Sequence, residues 1–298
     1  MRILVTGASG FIGRHVIARL NPRDEVLMLS RRARANPIKA KSRWLMGDIS
    51  GLPRLKRKIK AFDPQVCIHL AWAGIPDFSF ARSKKNLDDS IRFLDFIIQE
   101  TSCRKIVASG TCFEYGRASG RCRESDMTRT TSYLGWAKKA LHDYLECACM
   151  RKAVDLVWFR MFYVYGPGQR VKSLIPSAFR ALREGRTPEV NHPDSANDYV
   201  HVRDVADAVA KAARPGTQAG VFNLGSGRAT RAGDVCRMVE RACAGKTRLT
   251  QRLRRRGRVA SINLRADTRK SRRLLGWSAR IGLQEGILDY VGGKGMAA

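Results

Sequence analysis

Short apolar runs alternate with helical patterns through the first 160 residues, and this alternation restricts the fold more than any other feature of the chain. Apolar runs of four to seven residues predict strands buried on both faces, as in a parallel sheet. Strand, helix and parallel strand form a right-handed unit, so its repetition predicts an α/β fold with a doubly wound parallel sheet. The predicted strands are 3–6, 25–29, 66–70, 105–109 and 154–160, and the predicted helices are 11–20, 54–61, 84–100 and 133–151.

The first turn, TGASGFIG at 6–13, contains three glycines between a buried strand and a helix. A residue without Cβ lets the backbone approach a pyrophosphate, and the N–H groups that begin a helix face the phosphates. In this context the turn predicts dinucleotide binding on a Rossmann-type sheet, although a purely structural turn is the alternative. The predicted contacts are Gly7, Ser9, Gly10, Phe11, Ile12 and Gly13.

After GPGQ (166–169) the regular alternation of strands and helices ends. Helical patterns at 173–184, 203–213 and 231–243 surround strand-like runs at 198–202 and 220–224. We predict a dinucleotide-binding domain at 1–170, to which 198–224 returns, and a smaller, interleaved C-terminal α/β substrate-binding unit at 171–298.

The end of the second strand predicts which dinucleotide binds. An acid there would hold a ribose 2′-hydroxyl and favour NAD, whereas this strand ends in Ser30, Arg31 and Arg32. Guanidinium groups suit a 2′-phosphate. NADP(H) is therefore the preferred cofactor, and NAD(H) remains an alternative. If the two arginines are only solvated surface residues, they have no role in cofactor binding.

The charge is strongly positive, with 56 Lys and Arg against 26 Asp and Glu, giving +30. The excess lies in separate segments without a visible nucleic-acid module, so we interpret it as a basic surface around a site for an anionic small molecule. We expect no specific nucleic-acid partner. No run reaches the roughly 20 apolar residues that span a bilayer, so no membrane insertion is expected.

The cysteines and the N-terminus bear on localisation. Eight scattered cysteines without a CxxC pair indicate reduced thiols and no metal site. A strand-like run from Met1 leaves no room for a signal peptide. A cytoplasmic location is therefore expected.

Several motifs together resemble the extended short-chain dehydrogenase/reductase family, in its nucleotide-sugar epimerase, dehydratase and ketoreductase branch. The early motifs are GASGFIG, GDIS (47–50), HLAWAG (69–74), a Ser-x-Thr followed by YG (109–116), and Lys138. The late ones are FRMFYVYGPGQ (159–169), DYVHVRDVADA (198–208), FNLGSG (222–227) and ADTRKSRRLLGW (266–277).

The resemblance implies roles for residues that match the family pattern. Asp48 would accept a hydrogen bond from the adenine amino group, with Ile49 beside the ring. Thr111 would hydrogen-bond the reacting sugar oxygen, and Lys138 would bind the nicotinamide ribose and lower the pKa of a catalytic tyrosine. The other implied cofactor-site residues are Leu70, Ala71, Ala73, Asn86 and Ser109.

The tyrosine itself departs from the family pattern, which places it four residues before the lysine. Leu134 stands there, and Tyr133 is five residues before Lys138. Tyr133 could still act if it precedes the first helical turn and swings into the site. Alternatively, another group, locally Cys112 or Glu114, transfers the proton, or the protein is catalytically impaired.

Other departures concern the substrate. The dehydratases of the branch carry Asp-Glu after the threonine, where this chain has Cys112 and Phe113, so a 4,6-dehydratase is not expected. The family's asparagine after the sixth strand is Tyr163, and its pyrophosphate-binding arginine is Asn197. Arg256 and Arg258 match the region of a second phosphate-binding arginine and complete the predicted substrate residues.

These observations predict an NADP(H)-dependent oxidoreductase acting on a nucleotide-linked sugar, with a 4-keto-6-deoxy sugar reductase favoured. Its predicted catalytic residues are Thr111, Tyr133 and Lys138. A 4-epimerase that retains NAD is the alternative enzyme, and a non-catalytic dinucleotide-binding protein is the alternative of another class. The resemblance also implies a homodimer, with helices 84–100 and 133–151 as candidates for a four-helix interface.

Overall fold

A computed structural model of the chain describes residues 1–32, 41–116, 119–243, 248–253 and 263–294. Its twelve strands in this part of the chain are β1 Arg2–Thr6, β2 Glu25–Ser30, β3 Ser42–Met46, β4 Val66–His69, β5 Lys105–Thr111, β6 Gly120–Cys122, β7 Asp155–Met161, β8 Tyr163–Tyr165, β9 Ala196–His201, β10 Gly220–Leu224, β11 Ala229–Arg231 and β12 Asn263–Ala266. The α-helices within the same ranges are α1 Phe11–Arg19, α2 Leu52–Phe62, α3 Phe80–Glu100, α4 Tyr133–Arg151, α5 Leu174–Arg183, α6 Val202–Ala212, α7 Ala232–Ala242, α8 Arg269–Leu275 and α9 Leu283–Asp289.

Seven parallel strands form the main sheet, in the order β10-β7-β5-β4-β1-β2-β3. The chain runs outward from β1 through β2 to β3 and then crosses back to β4 on the other side of β1. Such a switch point opens a crevice beyond the carboxyl ends of the strands. The doubly wound parallel fold is confirmed.

Both faces of this sheet are covered, which explains why its strands are apolar on both sides. The helices α1, α6 and α8 pack on one face, and α2, α3 and α4 pack on the other. Val5 belongs to the first core and Leu4 to the second, as the period of two in a strand requires.

A second sheet has the order β11-β9-β12-β6, and β8 pairs with β9 beside it. Of the segment 198–224, β10 lies in the main sheet and α6 packs on α1, whereas β9 lies in the second sheet. The expected return of 198–224 to the first unit stays a prediction, as does the unit boundary near 170.

The short strands β3, β6, β8, β11 and β12 were not predicted. In β3 only Leu45 is fully buried, because the strand lies at the edge of the main sheet. Edge strands do not show the continuous apolar run that marks a central strand. None of the helices in the described ranges combines the length and the hydrophobicity that a membrane-spanning helix needs.

Candidate functional site

The three glycines of the first turn meet different constraints. Gly7 has a φ of +68°, and a Cβ there would lie 2.9 Å from the backbone of Leu70 and Ala71. A Cβ on Gly13 would lie 2.2 Å from the Gly7 carbonyl oxygen, so these two glycines are required for the turn itself. Gly10 has an ordinary φ of −71°, and a Cβ there would approach only Gly7, with its oxygen at 3.0 Å. Gly10 is thus the position kept open above the crevice.

The start of α1 suits a phosphate group. Gly10 is its N-cap and offers no side chain to the first turn. The first N–H groups of a helix, here those of Phe11, Ile12 and Gly13, have no acceptor within the helix. Together with the bare backbone of Gly10, these donors fit a pyrophosphate.

The cavity at the switch point collects residues from four strand ends and α3. Its lining is Gly7, Ser9, Gly10, Leu29, Ser30, Arg31, Gly47, Asp48, Ile49, Leu70, Ala71, Trp72, Ala73, Asn86 and Asp89. Most residues predicted for the cofactor lie here, and Trp72, Leu29, Gly47 and Asp89 were not predicted. The open glycine turn at one end of the cavity and the carboxylate of Asp48 at the other fit a dinucleotide.

The end of β2 contributes both a fixed and an exposed side chain. The hydroxyl of Ser30 is buried and hydrogen-bonded to Ser9, which holds the glycine turn against β2. The Arg31 side chain is 67% exposed, and its Nε lies 3.6 Å from Asp48 Oδ2. Arg32 is exposed, and its N–H donates to Ser30 Oγ at 3.2 Å. An exposed guanidinium group, that of Arg31, therefore lies at the cavity wall.

Asp48 and Ile49 follow β3. Asp48 caps a short 3-10 helix by accepting from the Ser50 N–H at 3.0 Å, which leaves its other oxygen facing Arg31. Ile49 is buried. An acceptor beside an apolar side chain is what an adenine ring requires.

A buried polar network positions the loop after β4. Thr6 Oγ1 lies 3.0 Å from His69 Nδ1 and accepts from the N–H groups of Leu70 and Ala71 at 3.2 Å. Burial lowers the pKa of His69 to about 3, so the ring is neutral. Asn86 then fastens this loop to α3, since its side chain accepts from the Ala73 N–H at 2.7 Å and donates to the Ala73 carbonyl at 3.0 Å.

Lys138 reaches from α4 to the end of β5. Its Nζ donates to the Ser109 carbonyl oxygen at 2.6 Å, lies 3.3 Å from Ser109 Oγ, and sits 4.0 Å from the centre of the Trp72 ring. The side chain is buried, and burial lowers its pKa to about 7, opposed by the negative charge of Glu114. The lysine therefore lies against Trp72, which lines the cavity, whereas Lys138 and Ser109 are not among the lining residues.

Thr111 ends β5 and begins the 3-10 helix Cys112–Tyr115. Its hydroxyl accepts from the Phe113 N–H at 3.3 Å, and its own N–H donates to Glu114 at 2.9 Å. Thr111 lies two residues beyond Ser109 and so projects from the same face of β5. The same side chain also forms a hydrogen bond with Cys112, and its hydroxyl oxygen keeps a second lone pair for a ligand.

Of the three alternatives for the proton donor, the one in which Tyr133 precedes the first helical turn does not match the structure. Ser132 is the N-cap of α4, accepting from the Gly135 N–H at 3.1 Å, and Tyr133 is the first helical residue. Five residues of helix turn through about 500°, so Tyr133 points about 140° away from Lys138. Its ring is 54% exposed and packs edge-on against Phe80 at 5.4 Å. Among the described residues its phenol has no hydrogen-bond partner, whereas Leu134 is buried one turn before Lys138.

The two alternative proton donors have structural roles. Glu114 is fully buried and accepts from Arg160 Nε at 2.9 Å and Trp158 Nε1 at 3.1 Å. Arg160 thus neutralises its charge. Cys112 is buried in an apolar cluster, and burial raises the pKa of its thiol. Neither group is placed to exchange a proton with a ligand.

On the substrate side, aromatic rings surround Tyr163. Its ring packs edge-on against Phe113 at 6.1 Å and lies 5.8 Å from Tyr199. Asn197, on β9, is 8% exposed, and its Oδ1 has no hydrogen-bond partner in the part of the chain that the structure describes. Arg256 and Arg258 lie outside the described residues.

Sequence reasoning missed three contacts that shape this site. These are the Thr6–His69 contact, the Trp72 ring beneath Lys138, and the Glu114–Arg160 ion pair. His69 and Trp72 belong to the HLAWAG motif, so the sequence did contain a local indication of the first two contacts. The ion pair joins residues 46 positions apart and has no local signature.

Curated relatives span nearly the whole chain. A UDP-glucose 4-epimerase from Oryza sativa subsp. japonica is 25% identical, covering 96% of this chain and 88% of its own. A dTDP-6-deoxy-L-talose 4-dehydrogenase (NAD(P)(+)) from Kitasatospora kifunensis is 28% identical, covering 97% and 94%.

Solved structures agree with the fold. MoeE5, in complex with UDP-glucose and NAD, is 27% identical with a TM-score of 0.83 and covers 98% of both chains. UDP-glucose 4-epimerase from Thermotoga maritima, with UDP-glucose, has a TM-score of 0.85 at 23% identity over 98% of both chains, which shows a shared fold. The model of the NAD dependent epimerase/dehydratase family matches residues 3–225. The chain belongs to the NAD-dependent epimerase/dehydratase family.

Proposed function

We propose that this protein is an NADP(H)-dependent reductase of a nucleotide-linked 4-keto sugar, with a 4-keto-6-deoxy sugar as the favoured substrate. The end of β2 carries the proposal. Ser30, Arg31 and Arg32 offer no carboxylate for a ribose 2′-hydroxyl. Arg31 instead stands at the cavity wall with an exposed guanidinium, which suits a 2′-phosphate.

Each part of the cavity then has a role. The turn at Gly7 and Gly10, with the start of α1, would hold the pyrophosphate, and Asp48 with Ile49 would hold the adenine. Lys138 would bind the nicotinamide ribose, and Thr111 would orient the carbonyl oxygen of the sugar. The bound dinucleotide would supply hydride transfer at its nicotinamide C4.

The substrate class rests on relatives and on the residues beyond Thr111. The Kitasatospora kifunensis relative is named for a 6-deoxy sugar, and relatives named for UDP- and dTDP-linked sugars recur. The rings of Tyr163 and Phe113 suit an apolar C6 methyl group. The buried, unpartnered oxygen of Asn197 suits a donor such as a sugar hydroxyl. We propose Arg256 and Arg258 as further phosphate contacts.

The second candidate is an NAD-dependent 4-epimerase. It is favoured by the UDP-glucose 4-epimerases among the relatives and by the NAD in the MoeE5 complex. An epimerase reoxidises its own reduced cofactor within each turnover, whereas a reductase consumes one NADPH per product. The third hypothesis is a non-catalytic dinucleotide-binding protein. It is supported by Leu134, which stands where the family has its catalytic tyrosine.

Calorimetry with NADPH and NADH tests the cofactor assignment. A charge-assisted contact to phosphate is worth roughly 1.5–3 kcal/mol, so NADPH should bind at least about tenfold more tightly. Arg31→Ala should remove most of this preference. Arg43→Ala, which removes an exposed arginine paired with Glu25 outside the cavity, should leave it intact. Equal affinities in the unsubstituted protein would favour the epimerase.

We also propose a cytoplasmic homodimer. The eight cysteines are unpaired, which suits a reducing compartment. Trp136 and Met150 are exposed on α4, 37% and 78% respectively, and would be covered by a partner's α3 and α4. Light scattering should give a mass near twice 33.3 kDa, and Met150→Glu should shift it toward the monomer.

A further inference from the structure

We propose that Tyr163, the first residue of β8, is the catalytic acid that protonates the reacting sugar oxygen beside Thr111. The inference rests on the proposed reductase function and deepens it by naming the source of the proton. Reduction of a carbonyl leaves a negatively charged oxygen, which needs a positioned proton donor. The family's tyrosine on α4 is replaced by Leu134, which carries no dissociable proton.

The strand register places Tyr163 close to Thr111. Thr111 on β5 pairs with Met161 on β7 in the parallel main sheet. The chain stays paired beyond Met161, since the Phe162 N–H donates to the Leu224 carbonyl oxygen at 2.9 Å. Residues two apart in an extended chain project to the same face, so Tyr163 lies on the face of Thr111, about 7 Å beyond Met161.

Ring contacts hold Tyr163 in this position. The Thr111 hydroxyl accepts from the Phe113 N–H at 3.3 Å, and the Phe113 ring packs edge-on against the Tyr163 ring at 6.1 Å between centres. Tyr163 also pairs with Tyr199 through β8 and β9, and their ring centres are 5.8 Å apart. One aromatic ring therefore links Tyr163 to Thr111, and the backbone pairing fixes its direction.

The hydroxyl of Tyr163 is available to a ligand. It forms no hydrogen bond with any residue that the structure describes, and its oxygen is not fully buried. Two neighbouring phenols are engaged instead. The Tyr115 hydroxyl donates to Asn223 Oδ1 at 2.7 Å, and the Tyr199 hydroxyl forms a hydrogen bond with the Asn197 side chain.

The other proton donors around the end of β5 are less suited to this role. Glu114 is neutralised by Arg160, and Cys112 is enclosed by apolar residues. Tyr133 lies on the outer side of α4, and Lys138 is buried and does not line the cavity. Of these groups and Tyr163, only Tyr163 combines a free dissociable proton with a position on the face of β5 that carries the reacting oxygen's partner.

The charges around Tyr163 suit an acid. Two titratable groups face its phenol, the Cys112 thiol and the Tyr199 phenol. Burial raises the pKa of all three groups, so each is protonated and neutral near neutral pH. Tyr163 therefore carries its proton when a substrate arrives.

Tyr163 loses one proton in each turnover and regains it from solvent. The bound NADPH supplies a hydride to the carbonyl carbon and becomes NADP⁺, while the electrons of the carbonyl π bond move to the oxygen. The O–H bond of Tyr163 breaks as that oxygen gains the proton. Solvent then returns a proton to the phenolate, whose oxygen is not enclosed.

The test compares Tyr163→Phe, which removes only the hydroxyl, with Tyr133→Phe, which removes an exposed hydroxyl on the outer side of α4. Turnover of NADPH with a dTDP-linked 4-keto-6-deoxy sugar should fall by about 10²–10⁴ in Tyr163→Phe and stay within about threefold in Tyr133→Phe. NADPH affinity by calorimetry and the thermal unfolding midpoint should change little in both variants, because the rings remain. Full turnover in Tyr163→Phe would overturn the proposal and leave the reductase assignment intact.

A second experiment separates proton donation from a structural role. Replacing Tyr163 by a ring-fluorinated tyrosine makes its phenol more acidic, so the fall in rate at high pH should begin at a lower pH. Its ¹⁹F resonance should also shift when the sugar nucleotide binds with NADP⁺, without turnover. An unchanged pH profile or an unchanged resonance would overturn the proposal alone. Failure of the unsubstituted protein to reduce any nucleotide-linked 4-keto sugar, despite binding NADPH, would overturn the reductase assignment as well.

Discussion

At the scale of single residues, Gly10 separates a binding role from a folding role. Its φ is ordinary and an added Cβ would meet only Gly7, with the carbonyl oxygen at a tight 3.0 Å, so Gly10→Val should still fold with a modest loss of stability. The branched side chain would occupy the pyrophosphate position and weaken NADPH binding at least 100-fold. Gly13→Ala is the contrasting variant, because its Cβ would lie 2.2 Å from the Gly7 oxygen and should destabilise the fold. Calorimetry and thermal unfolding of both variants check this, and normal NADPH binding by Gly10→Val would make the turn purely structural.

The position of Tyr133 shows how one extra residue between the tyrosine and Lys138 changes the direction of the phenol. In a helix a shift of one residue rotates a side chain by about 100°, which moves the phenol from the cavity to the protein surface. The sequence identified the anomaly at Leu134. It could not say where the helix begins, because Thr131, Ser132 and Tyr133 are all compatible with a first turn, and only the Ser132 cap decides this.

At the scale of elements, the Glu114–Arg160 pair joins the 3-10 helix after β5 to β7. Glu114→Gln would leave Arg160 as a buried charge without its counter-ion, at a cost of about 3–5 kcal/mol. Glu146→Gln, on the exposed face of α4, should change stability by less than about 0.5 kcal/mol. Urea unfolding of both variants measures the difference. A loss below about 1 kcal/mol for Glu114→Gln would show that the pair does not stabilise the end of β5.

The elements of the main sheet could be predicted because each carries its own pattern. Runs such as ILVT and the helical stretch at 84–100 show their burial locally, and the Gly-rich turn indicated one end of the cavity. The second sheet could not be predicted in the same way. Its strands β6, β11 and β12 are three or four residues long, and β12 is held by pairing with β6 and β9 far away in sequence.

At the scale of the whole molecule, the +30 charge gives a test of specificity. We expect DNA to bind weakly and without sequence preference, because long-range attraction of phosphates needs no built site. Affinity should fall steeply between about 50 and 200 mM salt. Fluorescence anisotropy with two unrelated duplexes would show equal binding. Tight binding of one duplex alone at physiological salt would instead indicate a nucleic-acid partner.

The central claim is that the protein reduces a nucleotide-linked 4-keto sugar at the expense of NADPH, and the fate of the hydride tests it most directly. The protein is incubated with NADPH deuterated at the transferring position of C4 and with UDP- or dTDP-linked 4-keto-6-deoxy sugars, and the sugar product is analysed by mass spectrometry. The account predicts one deuterium at the sugar C4 and one NADP⁺ per product. Conversion of a UDP- or dTDP-sugar into its C4 epimer, with no deuterium in the product and no net NADPH oxidation, would contradict it.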